Sequence, residues 1–186
     1  MKRVFAAVIF VIILLTGCKS TDSELGRAMA LRQRLLSSSC TFDAVITADY
    51  GDKVYTFNMN CQADSQGDLS FTVTDPQTIS GITGTVTQQG GHLTFDGKAL
   101  AFRMLADGQV TPVSAPWILI RTLRGGYLSA CGADGENLRI AIDDSYEENA
   151  LHLDIWINSQ DMPIRGDILW QGQRVVSLEV RNFAYV

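Results

Sequence analysis

Residues Cys40–Cys61 read CTFDAVITADYGDKVYTFNMNC, and their alternation of apolar and polar side chains decides the fold class. Apolar residues recur at every second position in two runs, which predicts two strands that each bury one face: Phe42, Ala44, Ile46 and Ala48, then Tyr55, Phe57, Met59 and Cys61. Tyr50-Gly51-Asp52 between the runs is typical of a turn. The stretch therefore predicts an antiparallel hairpin.

The two cysteines at the ends of this stretch suggest a register for the hairpin. Pairing Cys40 with Cys61 sets Phe42 opposite Met59, so that the apolar faces and the cysteines align together. Directly opposed cysteines lie about 5.5 Å apart at Cα, which permits a disulfide, and an exported protein can keep one. We therefore predict a Cys40–Cys61 disulfide, with two buried free thiols as the alternative and Cys131 as a small buried hydrophobe.

The same alternation continues along most of the chain. Further strands are predicted at 68–75, 81–88, 92–102, 138–144, 151–157, 164–170 and 174–180. The turns between them are short, so successive strands should pair as antiparallel neighbours in a meander. Each strand should have one face towards solvent.

Two segments have helical spacing instead. Residues 23–39 are amphipathic, and residues 114–126 form an apolar helix with Ser114 as its N-cap and Gly125-Gly126 at its end. The predicted fold is α+β: a curved antiparallel meander, or half-barrel, of about 10–11 strands covered by both helices. Residues 127–137 have no clear pattern.

The N-terminus has the features of an export signal. Lys2 and Arg3 precede an apolar run, residues 4–15, that is shorter than the roughly 20 residues needed to cross a bilayer. Leu15-Thr16-Gly17-Cys18 resembles a bacterial lipobox, which implies cleavage before Cys18 and lipid attachment to its sulfur; a chance cysteine in an ordinary signal peptide is the alternative. We expect a signal peptide at 1–17, a tether at 18–23 and a single domain at 24–186.

Charge and motif content exclude several functions. The formal net charge is −5, and removal of Lys2 and Arg3 makes it more negative, which argues against nucleic-acid partners. The only histidines are His92 and His152, and no nucleophile elbow or phosphate-binding loop is present. The acidic residues 143–149 favour a solvated turn over a cation site. We expect a monomer without catalytic residues, metal or cofactor.

The order of elements resembles the bacterial lipoprotein-carrier superfamily, which includes the periplasmic lipoprotein carrier and its outer-membrane receptor. Residues 75–100 and 162–183 carry the resemblance, as two strands joined by a turn and as a terminal hairpin. The resemblance implies a curved sheet around an apolar cavity. Helices would close this cavity, and acyl chains would bind inside it. Cys18 favours the anchored receptor type. The following Lys19 is not the aspartate of the usual Gram-negative inner-membrane retention signal, so an outer membrane is expected in a Gram-negative host and the cell membrane otherwise.

This reading predicts an extracytoplasmic, lipid-anchored protein that binds a hydrophobic ligand, such as an acyl chain or a lipoprotein. The expected lining residues are Phe42, Ile46, Tyr55, Phe57, Met59, Leu69, Phe71 and Val73 from the sheet, Trp117 and Ile118 from the apolar helix, and Trp156 from a later strand. Two alternatives remain open. The same residues can simply fill a packed core, or the chain can present its sheet edge or loops to a protein partner.

Overall fold

The computed structural model describes residues 20–87 and 105–186. The elements, in chain order, are α1 (Ser20–Ser37), β1 (Cys40–Asp49), β2 (Val54–Ala63), β3 (Leu69–Asp75), β4 (Thr83–Val86), a 3-10 turn (Pro112–Ser114), α2 (Ala115–Gly125), β5 (Tyr127–Asp134), β6 (Asn137–Asp143), β7 (His152–Ile157), β8 (Pro163–Trp170) and β9 (Gln173–Tyr185). The predicted signal peptide, Cys18, the predicted strand 92–102 and His92 lie outside the described residues.

All nine of these strands belong to one antiparallel sheet in the order β4-β3-β2-β1-β9-β8-β7-β6-β5. The sheet consists of two meanders that meet where β1, the first strand, pairs with β9, the last. Among the described strands, β4 and β5 lie at the two ends of this order. An unclosed antiparallel sheet with two helices confirms the predicted fold class.

The first hairpin forms, but its predicted register is wrong by two residues. Cys40 lies opposite Ala63, and Cys61 lies opposite Phe42. The connecting loop is longer than predicted, because Asp49 pairs with Val54 and Tyr50 N–H donates to the carbonyl oxygen of Lys53 at 2.9 Å. All three cysteines within the described part of the chain are free, so the predicted Cys40–Cys61 disulfide is also wrong.

One face of the sheet, here called the inner face, is apolar and buried along almost its whole length. In β1, buried residues alternate with partly exposed ones as predicted, and β6, β7 and β8 add isoleucines and leucines to the same core. Helix α2 packs closely on this face. A Cβ atom at Gly166 of β8 would lie 2.8 Å from Cδ1 of Leu119, so the missing side chain lets α2 approach the strand.

Both predicted helices are present, with small differences at their ends. Helix α1 begins and ends earlier than predicted. Ser114 stands at the N-cap position of α2 but does not cap it, because its hydroxyl donates to the carbonyl oxygen of Thr111 at 2.8 Å. Residues 127–137, which had no predicted structure, form β5 and the start of its hairpin with β6. Cys131 lies in β5 and is half-buried.

Candidate ligand-binding site beneath the helices

Most of the predicted lining residues lie together on the inner face. Eight of the eleven are no more than 4% exposed and belong to one core cluster: Phe42, Ile46, Phe57, Met59, Leu69, Phe71, Val73 and Ile118. The hypothesis of a packed core and the hypothesis of a ligand site both require this clustering. Within the described residues these side chains are already packed, so an acyl chain would reach them by displacing part of the helical cover, α1 and α2.

The other three predicted lining residues occupy different positions. Trp117 is half-buried on α2 and packs against the edge of the core. Tyr55 shares the strand face of Phe57 but is 48% exposed, with its ring against that of Tyr50. Trp156 lies on the opposite, outer face, because it alternates along β7 with the core residues Leu153, Ile155 and Ile157. The prediction that Trp156 lines the site is therefore wrong.

Two side chains of α2 attach this helix to the turn between β2 and β3. Trp117 donates from Nε1 to the carbonyl oxygen of Gly67, and Arg124 donates to the carbonyl oxygens of Asp64 and Ser65. The carboxylate of Asp64 orders the turn, since its Oδ1 accepts three backbone N–H groups at 2.8–3.0 Å. The cover is thus tied to a preformed set of carbonyl groups.

Arginines of α1 attach the first helix to its surroundings. Arg32 donates from Nε to the carbonyl oxygen of Leu123 at 2.8 Å and from its terminal nitrogen to Gly126 at 2.7 Å, which satisfies free carbonyls at the C-terminus of α2. Burial lowers the pKa of Arg32. Arg27 pairs with Asp161 at 2.7 Å, in the turn between β7 and β8. Sequence reasoning missed these residues, although each adjoins a residue of the apolar stripe on α1.

A small cleft opens to solvent where α1 meets α2. Its volume is about 370 Å³, and its lining is Leu36, Trp117, Arg121, Arg124 and Gly125. Leu36 is half exposed, and the guanidinium of Arg121 lies 4.8 Å from the ring centre of Trp117. Apolar surface and two cationic groups therefore meet at the boundary of the cover, a combination that suits an amphiphile with an anionic end.

The outer face of β6–β9 carries a network of paired charges. Asp154 and Asp167 face each other across β7 and β8, and each is paired with an arginine, Arg139 and Arg165 respectively. Arg165 also lies 4.5 Å above the ring of Trp156. Because each of these two carboxylates is paired with an arginine, the network stabilises the sheet surface.

The thiols of Cys40 and Cys61 are buried, and this environment makes them unreactive. Burial raises the pKa of Cys40 to about 11, and it raises that of Cys61 further still. A thiol with a raised pKa is largely protonated and a poor nucleophile at neutral pH. Within the described ranges, no three His, Cys, Asp or Glu side chains are grouped so that they could hold a metal ion. No helix in those ranges is long and apolar enough to cross a membrane.

Comparisons with known proteins give structural likenesses only. No protein-family model matches the chain, and no curated protein matches it. Among solved structures, the LolA superfamily protein NE2245 from Nitrosomonas europaea is 10% identical over 84% of this chain and 92% of that one, with a TM-score of 0.41. A putative outer membrane lipoprotein-sorting protein domain from Vibrio parahaemolyticus is 6% identical over 89% and 93%, with a TM-score of 0.39.

A third similar structure is the MucA/MucB complex of Pseudomonas aeruginosa. Its matching chain is 10% identical, with 90% of this chain and 57% of that chain covered and a TM-score of 0.40. The similar structures thus include the superfamily that the sequence resembles. At these identities and TM-scores the likeness carries no argument about ligand or partner, so the function is argued from the residues themselves.

Proposed function

We propose that the chain is a lipid-anchored, extracytoplasmic binding protein that takes an acyl chain between the inner face of its sheet and α2. The observation that supports this proposal is that α2 buries Ile118, Leu119 and Leu123 against the inner face of an unclosed sheet. Lifting this helix would uncover a continuous apolar surface without breaking a strand pair. No chemistry is assigned to the site, and the membrane anchor in this proposal is the lipid on Cys18.

The polar attachments of the cover oppose such an opening only weakly. Beside its apolar packing, α2 is tied through side chains to backbone carbonyls of the β2–β3 turn, and through Arg32 to α1. Hydrogen bonds of this kind contribute only about 0.5–1.5 kcal/mol each, because water replaces them when they break. Each CH₂ group of an entering acyl chain gains about 0.8 kcal/mol, so a chain of ordinary length can offset several of them.

The cleft between α1 and α2 is the proposed point of access. Leu36 and Trp117 offer apolar contact there, and Arg121 and Arg124 lie where an anionic group of the ligand would remain near solvent. Arg121 is paired with Asp144 at 2.9 Å, so an anionic ligand would compete with that carboxylate. The proposal therefore favours a fatty acid or an acidic phospholipid over a neutral hydrocarbon.

Organic extraction followed by mass spectrometry tests this proposal. The chain from Lys19 onward lacks only the anchor, so any lipid that it releases was bound non-covalently. We expect a long-chain acyl lipid in stoichiometric amount. An Ile118→Asp variant, which places a carboxylate in the apolar interface, should release much less, whereas Arg165→Gln on the outer face should release as much as the original chain. An extract without lipid from well-folded protein would refute the proposal.

A second candidate function rests on the exposed side of α1. Leu25, Met29 and Leu36 are 42–51% exposed and follow one another at helical spacing, on a face of α1 beside the buried residues Ala28 and Leu35. This stripe suits a helical or extended protein partner. Replacing Leu25 and Met29 by serine should abolish partner capture if this function holds, and should leave lipid release unchanged.

A further inference from the structure

The outer face of β1–β4 carries a second concave surface, separated from the inner face by the sheet itself. It is an open groove of about 870 Å³, within the range of small-ligand sites. Neighbouring strands place Thr41, Gln62, Ser70 and Thr85 side by side across the sheet. Four adjacent strands span about 14 Å at the usual spacing. This first row therefore presents a hydroxyl or amide group on every strand.

A second row runs parallel to the first, two residues along each strand. It consists of Asp43, Asn60, Thr72 and Thr83, and its members also line the groove. Asp43 is the sole charged side chain among the described lining residues. Arg181 of β9 lies directly opposite Asp43, but its guanidinium pairs with Glu179, so no cation of the described residues lines the groove itself. The lining instead matches a neutral ligand that has many groups able both to donate and to accept hydrogen bonds.

One end of the groove is shaped by a bulge in β9. Two residues of β9, Asn182 and Phe183, occupy the space opposite Phe42 of β1, and Asn182 has a φ of 52°. A bulge re-aims a side chain. Here the amide of Asn182 donates to Oδ2 of Asp43 at 2.6 Å, while Asn60 donates to Oδ1 of the same carboxylate at 2.5 Å.

This carboxylate fixes both amides and still leaves them capacity to bind. Each amide has two N–H donors and one carbonyl acceptor, and each uses one donor on Asp43. The side chains of Thr41, Gln62, Thr72 and Thr83 make no hydrogen bond to another residue within 20–87 or 105–186. The groove therefore presents hydroxyl and amide side chains that are free to form hydrogen bonds with a ligand. A site built in this way can select a ligand by its hydroxyl groups.

We infer that this groove binds a neutral oligosaccharide, with its hydroxyl groups in the two rows and Asp43, Asn60 and Asn182 holding one end. The site is independent of the proposed acyl site, since it uses the opposite face of the sheet. Its occupant differs in chemistry as well, because binding here depends on hydrogen bonds to sugar hydroxyls and there on burial of CH₂ groups.

Saturation-transfer NMR tests the inference with the full lipidated chain in phosphatidylcholine nanodiscs and with cellotetraose and chitotetraose as probes. We expect saturation transfer to at least one of the two sugars to exceed the transfer measured with empty nanodiscs. A Gln62→Leu/Thr72→Val variant should weaken that binding at least fivefold. Thr56→Val is the matched control, since Thr56 lies on the same outer face, bonds to Thr47 and stands away from the groove. It should bind as the original chain does.

Two results would overturn the inference. One is the absence of saturation transfer to both sugars, and the other is binding that the Gln62→Leu/Thr72→Val variant leaves unchanged. Circular dichroism confirms that this variant is folded; if it is not, Thr83→Val replaces it at the exposed end of the second row. The acyl-chain proposal survives either failure, because lipid extraction reports on the inner face alone.

Discussion

The indole Nε1 of Trp117 lies 3.1 Å from the carbonyl oxygen of Gly67 and donates a hydrogen bond to it. This contact joins the first turn of α2 to the turn between β2 and β3, 50 residues earlier in the chain. Arg124 reaches carbonyls of the same turn from the last turn of α2. The two contacts hold both ends of the helix against the sheet, so their strength sets how easily the cover opens.

Removing the first of these contacts should make α2 open more often. In Trp117→Phe the ring remains but the N–H donor is lost, which should cost about 1 kcal/mol. Amides of α2 should then exchange with solvent about fivefold faster by hydrogen–deuterium exchange, while those of β7 stay protected. Trp156→Phe removes an indole donor from the outer face and serves as the control. Equal acceleration in the two variants would contradict the assigned role of Trp117.

The end of α2 should be sensitive to one added methyl group at Gly126 and not at Gly125. A Cβ atom at Gly126 would lie 2.5 Å from Cγ2 of Ile142 and 2.8 Å from the backbone oxygen of Thr122, whereas one at Gly125 meets nothing within 4 Å. Gly126→Ala should lower the free energy of unfolding by about 1–3 kcal/mol. Gly125→Ala should keep or slightly raise it. Urea denaturation separates the two, and similar losses would contradict the observed packing.

Thr122 carries a buried hydroxyl that has no hydrogen-bond partner within the described residues, and its side chain is 1% exposed. Valine has the same shape and a similar helix propensity. Thr122→Val should therefore raise the free energy of unfolding by up to about 1 kcal/mol, because it removes an unpaired polar group from the interior. Thr122→Ala should lower it through the lost packing. Destabilisation by valine, measured by thermal unfolding, would show that the hydroxyl has a partner.

Alkaline pH should destabilise the fold through its buried thiols. Unfolded cysteines lose their protons near the ordinary value of 9.0, while burial raises the pKa of Cys40 to about 11. Between these values the unfolded chain binds fewer protons than the folded one, so stability falls as pH rises through this window. At pH 10.5 the loss from Cys40 should approach about 2 kcal/mol. Urea unfolding at pH 8 and 10.5 should show a smaller loss in Cys40→Ala. The same loss in both proteins would contradict the assignment.

The sequence predicted which residues face inward but not which residues face each other. Side chains alternate with a period of two, so a shift of two residues preserves every face, and the turn at Tyr50 decided the register instead. The disulfide prediction depended on that register and failed with it. The position of Trp156 could have been predicted from the sequence. In the strand LHLDIWI, the alternation of side chains places Trp156 on the opposite face from Ile155 and Ile157.

The attachments of the cover could not be predicted at all. Arg27 and Arg32 look like ordinary solvated positions of an amphipathic helix, yet they bond to groups more than 90 residues away. Their partners include backbone carbonyls, which every residue has, so no pattern of residue types reveals them. The groove on the outer face was hidden for a related reason. In the sequence, its polar residues look like the ordinary solvent-exposed positions of four separate strands. Only the order of the strands in the sheet shows that these residues lie together.

Quenching of tryptophan fluorescence by a dibrominated fatty acid tests the acyl-chain proposal most directly, since bromine quenches only on close approach. A Trp156→Phe/Trp170→Phe variant keeps Trp117 at the edge of the cover, and a Trp117→Phe/Trp170→Phe variant keeps Trp156 on the outer face. We predict saturable quenching of Trp117 and none of Trp156 in the anchor-free chain. Unquenched Trp117, or equal quenching of both, would contradict binding beneath α2.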